Sequence, residues 1–187
     1  SSRLGNHDLF VVATDGSGEK AITQGDAVDW FPRFSPDGSR ILFVRSRKGW
    51  VSERDANADG KWDLFTIPPD GGEVTKVADN ASWGTWVDGS TILFVRGTKL
   101  FQKNLESGEE KLLLDSNGPS ELDGALLQQP QMAPTGRYVA ITLRGSKRET
   151  GIWDLEKKTW TRTSWRPTWA TTTTHGSPSC WPRPAAT

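Results

Sequence analysis

The sequence has 187 residues, with 23 basic and 23 acidic side chains and therefore no net charge. Sequence-independent binding of nucleic acid relies on neutralising phosphates, so this balance argues against it. No apolar run approaches the ~20 residues that a transmembrane helix needs. Residues 1–6 lack the apolar core of a signal peptide. We therefore expect neither a transmembrane helix nor a signal peptide in this sequence. A single cysteine, Cys180, excludes an internal disulfide.

In chain order, short runs rich in β-branched and aromatic residues alternate with polar turns, and no segment has the periodicity of an amphipathic helix. A unit of strand, turn and strand occurs three times at a nearly constant spacing, with turn glycines at Gly38, Gly89 and Gly136. We expect each glycine to supply the positive φ of a tight turn. Such a repeat predicts a stacked or radial array, and a propeller blade of four strands takes about 40–45 residues.

The predicted fold is therefore all-β, a β-propeller of four-stranded antiparallel blades. The predicted parts are an extension at 1–7, half a blade at 8–24, blades at 29–79, 82–115 and 129–163, another inner strand at 166–170, which ends the propeller region 8–170, and an irregular tail at 171–187. Three blades and part of a fourth fit two arrangements, a portion of a larger propeller or a minimal four-bladed ring. An open arc would leave strand edges that invite pairing with a partner chain.

The clearest copy of the repeat is the segment 32–38, Pro-Arg-Phe-Ser-Pro-Asp-Gly, followed by Ile-Leu-Phe-Val at 41–44. This phrase resembles the propeller repeat of TolB, a bacterial periplasmic protein, and that of the propellers attached to prolyl-oligopeptidase-type peptidases. The TolB resemblance implies a non-catalytic binding or scaffolding module outside the cytoplasm. Such a module would dock on a larger protein assembly, which can be membrane-associated. One architecture carries many unrelated sites, so the repeat itself does not specify a function.

The alternative is the propeller domain of an enzyme, either a prolyl-oligopeptidase-type peptidase or a lyase. A peptidase needs a catalytic α/β-hydrolase domain, which this sequence does not contain. A lyase-type propeller would place histidines or a metal cluster on its inner strands, whereas the two histidines, His7 and His175, lie at opposite ends of the sequence. We therefore expect no catalytic residues here.

One segment has the spacing of a calcium-binding loop, Asp-Ala-Asn-Ala-Asp-Gly-Lys-Trp-Asp at 55–63, which falls between the second and third strands of the first full blade. Oxygen ligands at positions 1, 3, 5, 7 and 9 and a glycine at position 6 follow the logic of an EF-hand loop, without its final glutamate. The pattern resembles the calcium loops of integrin-type propellers. The predicted ligands of a structural Ca²⁺ are Asp55, Asn57, Asp59, the Lys61 carbonyl and Asp63. A polar, solvated insertion is the alternative.

Loops that join an outer strand to the next inner strand line one mouth of a propeller. These loops and their flanks carry aromatic residues beside carboxylates and amides, which could bind a peptide, a sugar or a partner protein. The candidate residues of this ligand or partner face are Asp29, Trp30, Asn80, Trp83 and Gln129. Packing between blades is the alternative role of Trp30 and Trp83.

Overall fold

A computed structural model of the chain describes residues 7–52, 60–145 and 148–163. Their regular structure consists of β-strands, and no helix in these ranges is long and apolar enough to cross a bilayer. The strands are β1 (Phe10–Val11), β2 (Lys20–Ala21), β3 (Asp29–Phe34), β4 (Ile41–Ser46), β5 (Trp62–Ile67), β6 (Thr75–Ala78), β7 (Ser82–Trp86), β8 (Thr91–Arg96), β9 (Lys99–Asn104), β10 (Glu110–Asp115), β11 (Leu126–Met132), β12 (Tyr138–Arg144), β13 (Arg148–Asp154) and β14 (Thr159–Arg162).

The strands form consecutive antiparallel meanders. Strands β1 and β2 form a hairpin, β3–β6 form blade 1, β7–β10 form blade 2, and β11–β14 form blade 3. Within each blade the strands pair in chain order, from the innermost to the outermost. The predicted all-β propeller of four-stranded blades is therefore confirmed. The predicted inner strand at 166–170, the tail at 171–187, most of the extension at 1–7 and most of the calcium loop lie outside the described residues.

The blades are held together because their central strands bury both faces. In β4, Ile41 and Phe43 pack with Leu9 of the hairpin segment, whereas Leu42 and Val44 pack against blade 2. In β8 the same alternation sends Ile92 and Phe94 towards blade 1 and Leu93 and Val95 towards blade 3. Side chains alternate between the two faces of a strand, so a run of apolar residues marks a strand that is covered on both sides.

One of the predicted turn glycines does not have the predicted conformation. Gly38 and Gly136 both have φ of 72°, as a tight turn requires. Gly89 is not in the left-handed region, and a methyl group on its Cα would contact nothing within 4 Å. The connection from β7 to β8 turns instead on Asp88, whose carboxylate accepts hydrogen bonds from the backbone N–H groups of Ser90 and Thr91 at 2.8 and 2.7 Å. The β7–β8 turn therefore does not depend on a glycine at this position.

Gly151 is a site where only glycine fits. It lies in β13 beside the outermost strand, and a Cβ atom there would lie 2.6 Å from the Thr161 carbonyl oxygen and would overlap the Trp160 ring. We expect Gly151→Ala to destabilise the protein by about 1–3 kcal/mol through overpacking. Gly89→Ala is the matched control and should change stability by less than about 0.5 kcal/mol. Urea unfolding of both variants measures this, and equal stabilities would contradict the described packing of β13 on β14.

The ion pair between Arg137 and Asp154 closes the β12–β13 end of blade 3. The Arg137 guanidinium donates to Asp154 at 2.8 Å, and the backbone N–H groups of Glu156 and Lys157 donate to the same carboxylate at 2.9 and 3.0 Å. These hydrogen bonds, those from Arg137 above all, lower the pKa of Asp154 to about 2. An unfolded aspartate has a pKa of about 3.9. This carboxylate therefore stabilises the fold above pH ~4 and loses that contribution as the pH falls towards 2.

We expect Asp154→Asn to lower the melting temperature at pH 7 and to flatten its decline between pH 4 and pH 2. Arg137→Gln should have the same effect, because it removes the main cause of the low pKa. Thermal melts at pH 7, 4, 3 and 2 measure both slopes. If both variants lose stability as steeply as the unmodified protein over that range, Asp154 does not titrate as described.

Candidate functional site

The innermost strand of each blade is interrupted by a bulge at an equivalent position. Pairing shifts between Trp30 and Arg33 in β3, between Ser82 and Thr85 in β7, and between Gln128 and Gln131 in β11. The first bulged residue in the three blades is Phe31, Trp83 and Gln129, with φ of 54°, 54° and 50°. Non-glycine residues in the left-handed region are strained and often mark binding sites. The strained backbone thus recurs in all three described blades and places a different side chain on the inner rim of each.

The bulges bring residues of neighbouring blades together. The rings of Phe31 and Trp83 stack with centroids 4.5 Å apart and planes 28° apart. Both rings remain half-buried, whereas the Gln129 side chain in blade 3 is exposed. Trp83 and Gln129, which the sequence predicted for the ligand face, line one groove. We call it the rim groove, a cleft of about 710 Å³ lined by Trp83, Gln128, Gln129, Thr142, Leu143, Arg144 and Arg148.

The rim groove continues onto a polar face of blade 3. In blades 1 and 2 the face that looks towards the next blade carries the cross-strand pairs Val44–Leu64 and Val95–Leu100, and all four residues are buried. The equivalent pair in blade 3 is Thr142–Thr150, whose hydroxyls lie 3.1 Å apart. The adjacent pair on the same face is Arg144–Arg148. Blade 3 therefore presents hydroxyl and guanidinium groups where blades 1 and 2 present apolar packing.

The other predicted face residues have structural contacts. Asp29 is 3% exposed and accepts both arms of the Arg45 guanidinium at 2.7 and 2.8 Å. Trp30 stacks on Trp62 at 5.3 Å and packs against the apolar core between blades 1 and 2. The contacts of Trp30 are thus those of a residue that packs between blades. Trp83 packs against Phe31 and also lines the rim groove.

Asn80 joins the end of the predicted calcium loop to the connection between blades 1 and 2. Its side-chain oxygen accepts from the Gly60 N–H at 2.6 Å, and its own N–H donates to Asp63 at 2.8 Å. The Arg47 guanidinium donates to the same Asp63 oxygen at 2.6 Å, and the Arg47 N–H donates to the Lys61 carbonyl at 2.9 Å. Burial opposes ionisation of Asp63, but the hydrogen bonds from Arg47 and Asn80 outweigh it and lower the pKa.

Two of the predicted calcium ligands, Lys61 and Asp63, are thus described, and both already accept hydrogen bonds from Arg47. The second Asp63 oxygen lies 3.5 Å from the Lys76 ammonium, a longer contact. Asp55, Asn57 and Asp59 lie outside the described residues. The residues that are described contain no cluster of three or more His, Cys, Asp or Glu side chains that could hold a metal. The calcium site stays a prediction.

Sequence reasoning missed four residues of the rim. The sequence did not indicate Phe31 as a rim residue because it precedes a proline inside a strand, a combination that usually marks a strand end. The recurring dipeptides Phe31-Pro32, Trp83-Gly84 and Gln129-Pro130 were the available signal for the bulges. Gln128, Arg144 and Arg148 join the rim groove through cross-strand register, for which the sequence carries no direct signal.

No protein-family model matches the chain. A stretch of 79 residues is 35% identical to an uncharacterized protein of Agrobacterium fabrum and covers 42% of this chain and 26% of that protein. A stretch of 45 residues is 38% identical to a TolB homolog of Chlorobium luteolum and covers 24% and 10% of the two chains. The matches thus span about a quarter or less of these curated relatives.

Among solved structures, an oligogalacturonate lyase in complex with manganese matches 84% of this chain and 47% of its own, with a TM-score of 0.57 and 14% identity. A puromycin-hydrolyzing peptidase of Mycobacterium tuberculosis matches 81% and 24%, with a TM-score of 0.56 and 16% identity. The chain forms β-propeller blades. At these identities the likeness shows the fold alone, and the resemblance of the repeat to TolB rests on the 45-residue match.

Proposed function

We propose that this chain is a non-catalytic propeller module that binds a protein partner through the rim groove, as an extracytoplasmic subunit of a larger assembly. The observation that carries the proposal is the strained bulge, repeated in three blades, that holds Phe31, Trp83 and Gln129 on the inner rim. Strain of this kind costs about 1–2 kcal/mol per residue and needs a compensating role.

The chemistry of the rim groove suits binding. Its described lining supplies the aromatic edge of Trp83, the amides of Gln128 and Gln129, a threonine hydroxyl and two guanidinium groups. This set offers stacking and hydrogen bonds but no carboxylate, imidazole or thiol to transfer a proton or attack a substrate. Extracytoplasmic docking on a larger assembly is taken from the TolB resemblance and is part of the proposal.

A matched set of variants tests the binding role. Peptides selected from a random phage-displayed library on the unmodified protein should bind Trp83→Ala at least tenfold more weakly, because the aromatic edge is lost. Trp50→Ala is the control, since Trp50 is 69% exposed and does not line the rim groove. Fluorescence anisotropy measures the affinities. Peptides that bind Trp83→Ala as tightly as the unmodified protein would contradict the proposal, and so would a selection that yields none.

Gln129→Gly is a second test of the site, which is needed in case Trp83→Ala does not fold. Glycine adopts a φ of 50° without strain, which offsets its greater freedom in the unfolded chain. We expect this variant to be as stable as the unmodified protein, or up to about 1 kcal/mol more stable, yet to bind the selected peptides more weakly. Full affinity in this variant would show that Gln129 has no part in the ligand site, whereas a loss of stability would contradict the strain assigned to this position.

We also propose that residues 55–63 bind a structural Ca²⁺ through Asp55, Asn57, Asp59, the Lys61 carbonyl and Asp63. The observations that support it are the ligand spacing and the position of Asp63 at the start of β5, where Asn80 holds it in place. The ion would share Asp63 with Arg47, which competes as a cation. Affinity should be modest, with a Kd on the order of 10⁻⁴–10⁻³ M, as in extracellular modules.

Calcium at a hundredfold excess over its Kd should stabilise the protein by about 2.7 kcal/mol, and a chelator should reverse the effect. The double variant Asp55→Ala with Asp59→Ala should lose the response, whereas Arg47→Gln should melt at a lower temperature without calcium but gain more from it. Thermal melts with calcium, magnesium and chelator measure this. Either a chelator without effect or a full calcium response in the double variant would leave the segment as a polar insertion.

A further inference from the structure

We propose that the rim groove binds an acidic, extended segment of the partner, with carboxylates on Arg144 and Arg148. This inference rests on the proposed binding function and assigns the chemistry of the ligand. The two arginines are direct partners across β12 and β13, on the same face as Thr142 and Thr150. Cross-strand partners have Cα atoms about 4.5–5.5 Å apart, and like charges at that position repel each other.

Nothing in the described part of the chain neutralises this pair. Other arginines pair with acids, as Arg45 does with Asp29, Arg96 with Glu110 and Arg162 with Glu149. Arg144 and Arg148 form no ion pair with any described carboxylate, and no described residue of the rim groove is acidic. Glu149 lies next to Arg148 in sequence but points to the opposite face, where it accepts from Arg162 and Trp160.

The comparison between blades shows that the repulsion is not a general feature of this fold. The equivalent cross-strand pair in blade 1 is Ser46–Trp62, and both residues are buried, at 3% and 2% exposure. In blade 3 the pair is half-buried Arg144 and exposed Arg148. Arg144 and Arg148 thus place two unneutralised cations beside the strained aromatic rim, an arrangement that is typical of an anion-binding site.

We assign the counter-charge to a partner molecule. Residues 164–187 follow blade 3 in the sequence, and they contain no aspartate or glutamate side chain. The amides of Gln128 and Gln129 both donate and accept, which matches the N–H and C=O groups of a peptide backbone better than it matches a phosphate. Residues i and i+2 of an extended peptide point the same way about 6.4–6.8 Å apart, within reach of two flexible arginines. The fitting ligand is therefore a segment with acidic residues at alternate positions.

The test uses a fluorescein-labelled peptide of alternating threonine and glutamate, blocked at both ends, and its glutamine counterpart. The glutamate peptide should bind the unmodified protein at least tenfold more tightly than the glutamine peptide, and added salt should weaken it. The double variant Arg144→Gln with Arg148→Gln should lose at least tenfold in affinity. It should melt at the same or a higher temperature, because a repulsion is removed. Lys111→Gln on the outer strand of blade 2 is the matched charge control and should change affinity less than twofold.

Equal binding of the two peptides, or full affinity in the arginine double variant, would overturn the inference. If a heparin-derived oligosaccharide or inorganic phosphate binds at Arg144 and Arg148 while the glutamate peptide does not, the choice of an acidic peptide is wrong. The proposed function is judged separately: library peptides that depend on Trp83 but not on the arginines would preserve the binding role and refute its acidic chemistry. Binding that depends neither on Trp83 nor on the two arginines would refute both the proposed function and its acidic chemistry.

Discussion

The structure depends on the burial of both faces of each central strand. Leu42 and Val44 cover one side of β4 while Ile41 and Phe43 cover the other, and all four are at most 2% exposed. A single four-stranded sheet cannot bury two apolar faces by itself, so each blade requires a neighbour on either side. A Cβ on Gly84 in β7 would lie 2.8 Å from Leu64 of blade 1, so β7 approaches blade 1 as closely as a glycine allows.

Blade 3 departs from this rule on the face that looks away from blade 2. The pair Thr142–Thr150 replaces the valine–leucine pairs of the other blades, and Arg144–Arg148 lies beside it, while Ile152 on the same face remains 37% exposed. This face is not built for the apolar packing that joins blades 1 and 2. Guanidinium and hydroxyl groups bind polar partners, which is why we propose this face as part of a ligand surface. The rim groove lies where this surface meets the line of bulges.

Much of the fold could be predicted from the sequence because it is a repeat. Strand, turn and strand recur three times, and alternate burial on two faces explains the runs such as 41–44 and 92–95. The details that failed are local. Gly89 was expected to have a positive φ, but the shorter β7–β8 connection uses the Asp88 side chain instead. No repeat pattern distinguishes a turn that glycine makes from one that a carboxylate makes.

The sequence indicated only some of the residues that line the candidate site, and the reason is physical. Trp83 and Gln129 could be named from the sequence because they lie in loops and strand starts that face the mouth. The ion pair of Asp29 with Arg45 could not, because it depends on strand register. Arg144 and Arg148 come together only when β12 and β13 pair. Phe31 stacks on Trp83 only because blades 1 and 2 are neighbours. Such contacts exist in three dimensions and leave no mark at a fixed spacing in the sequence.

The most direct measurement of the central claim, that the rim groove is the ligand site, is nuclear magnetic resonance of the side chains during titration with the alternating glutamate peptide. We predict that the Nε–H signals of Arg144 and Arg148 and the indole N–H signal of Trp83 shift together and saturate at one affinity, while the indole signal of Trp50 does not move. Shifts confined to other surfaces, with these three signals unchanged at saturation, would contradict the account.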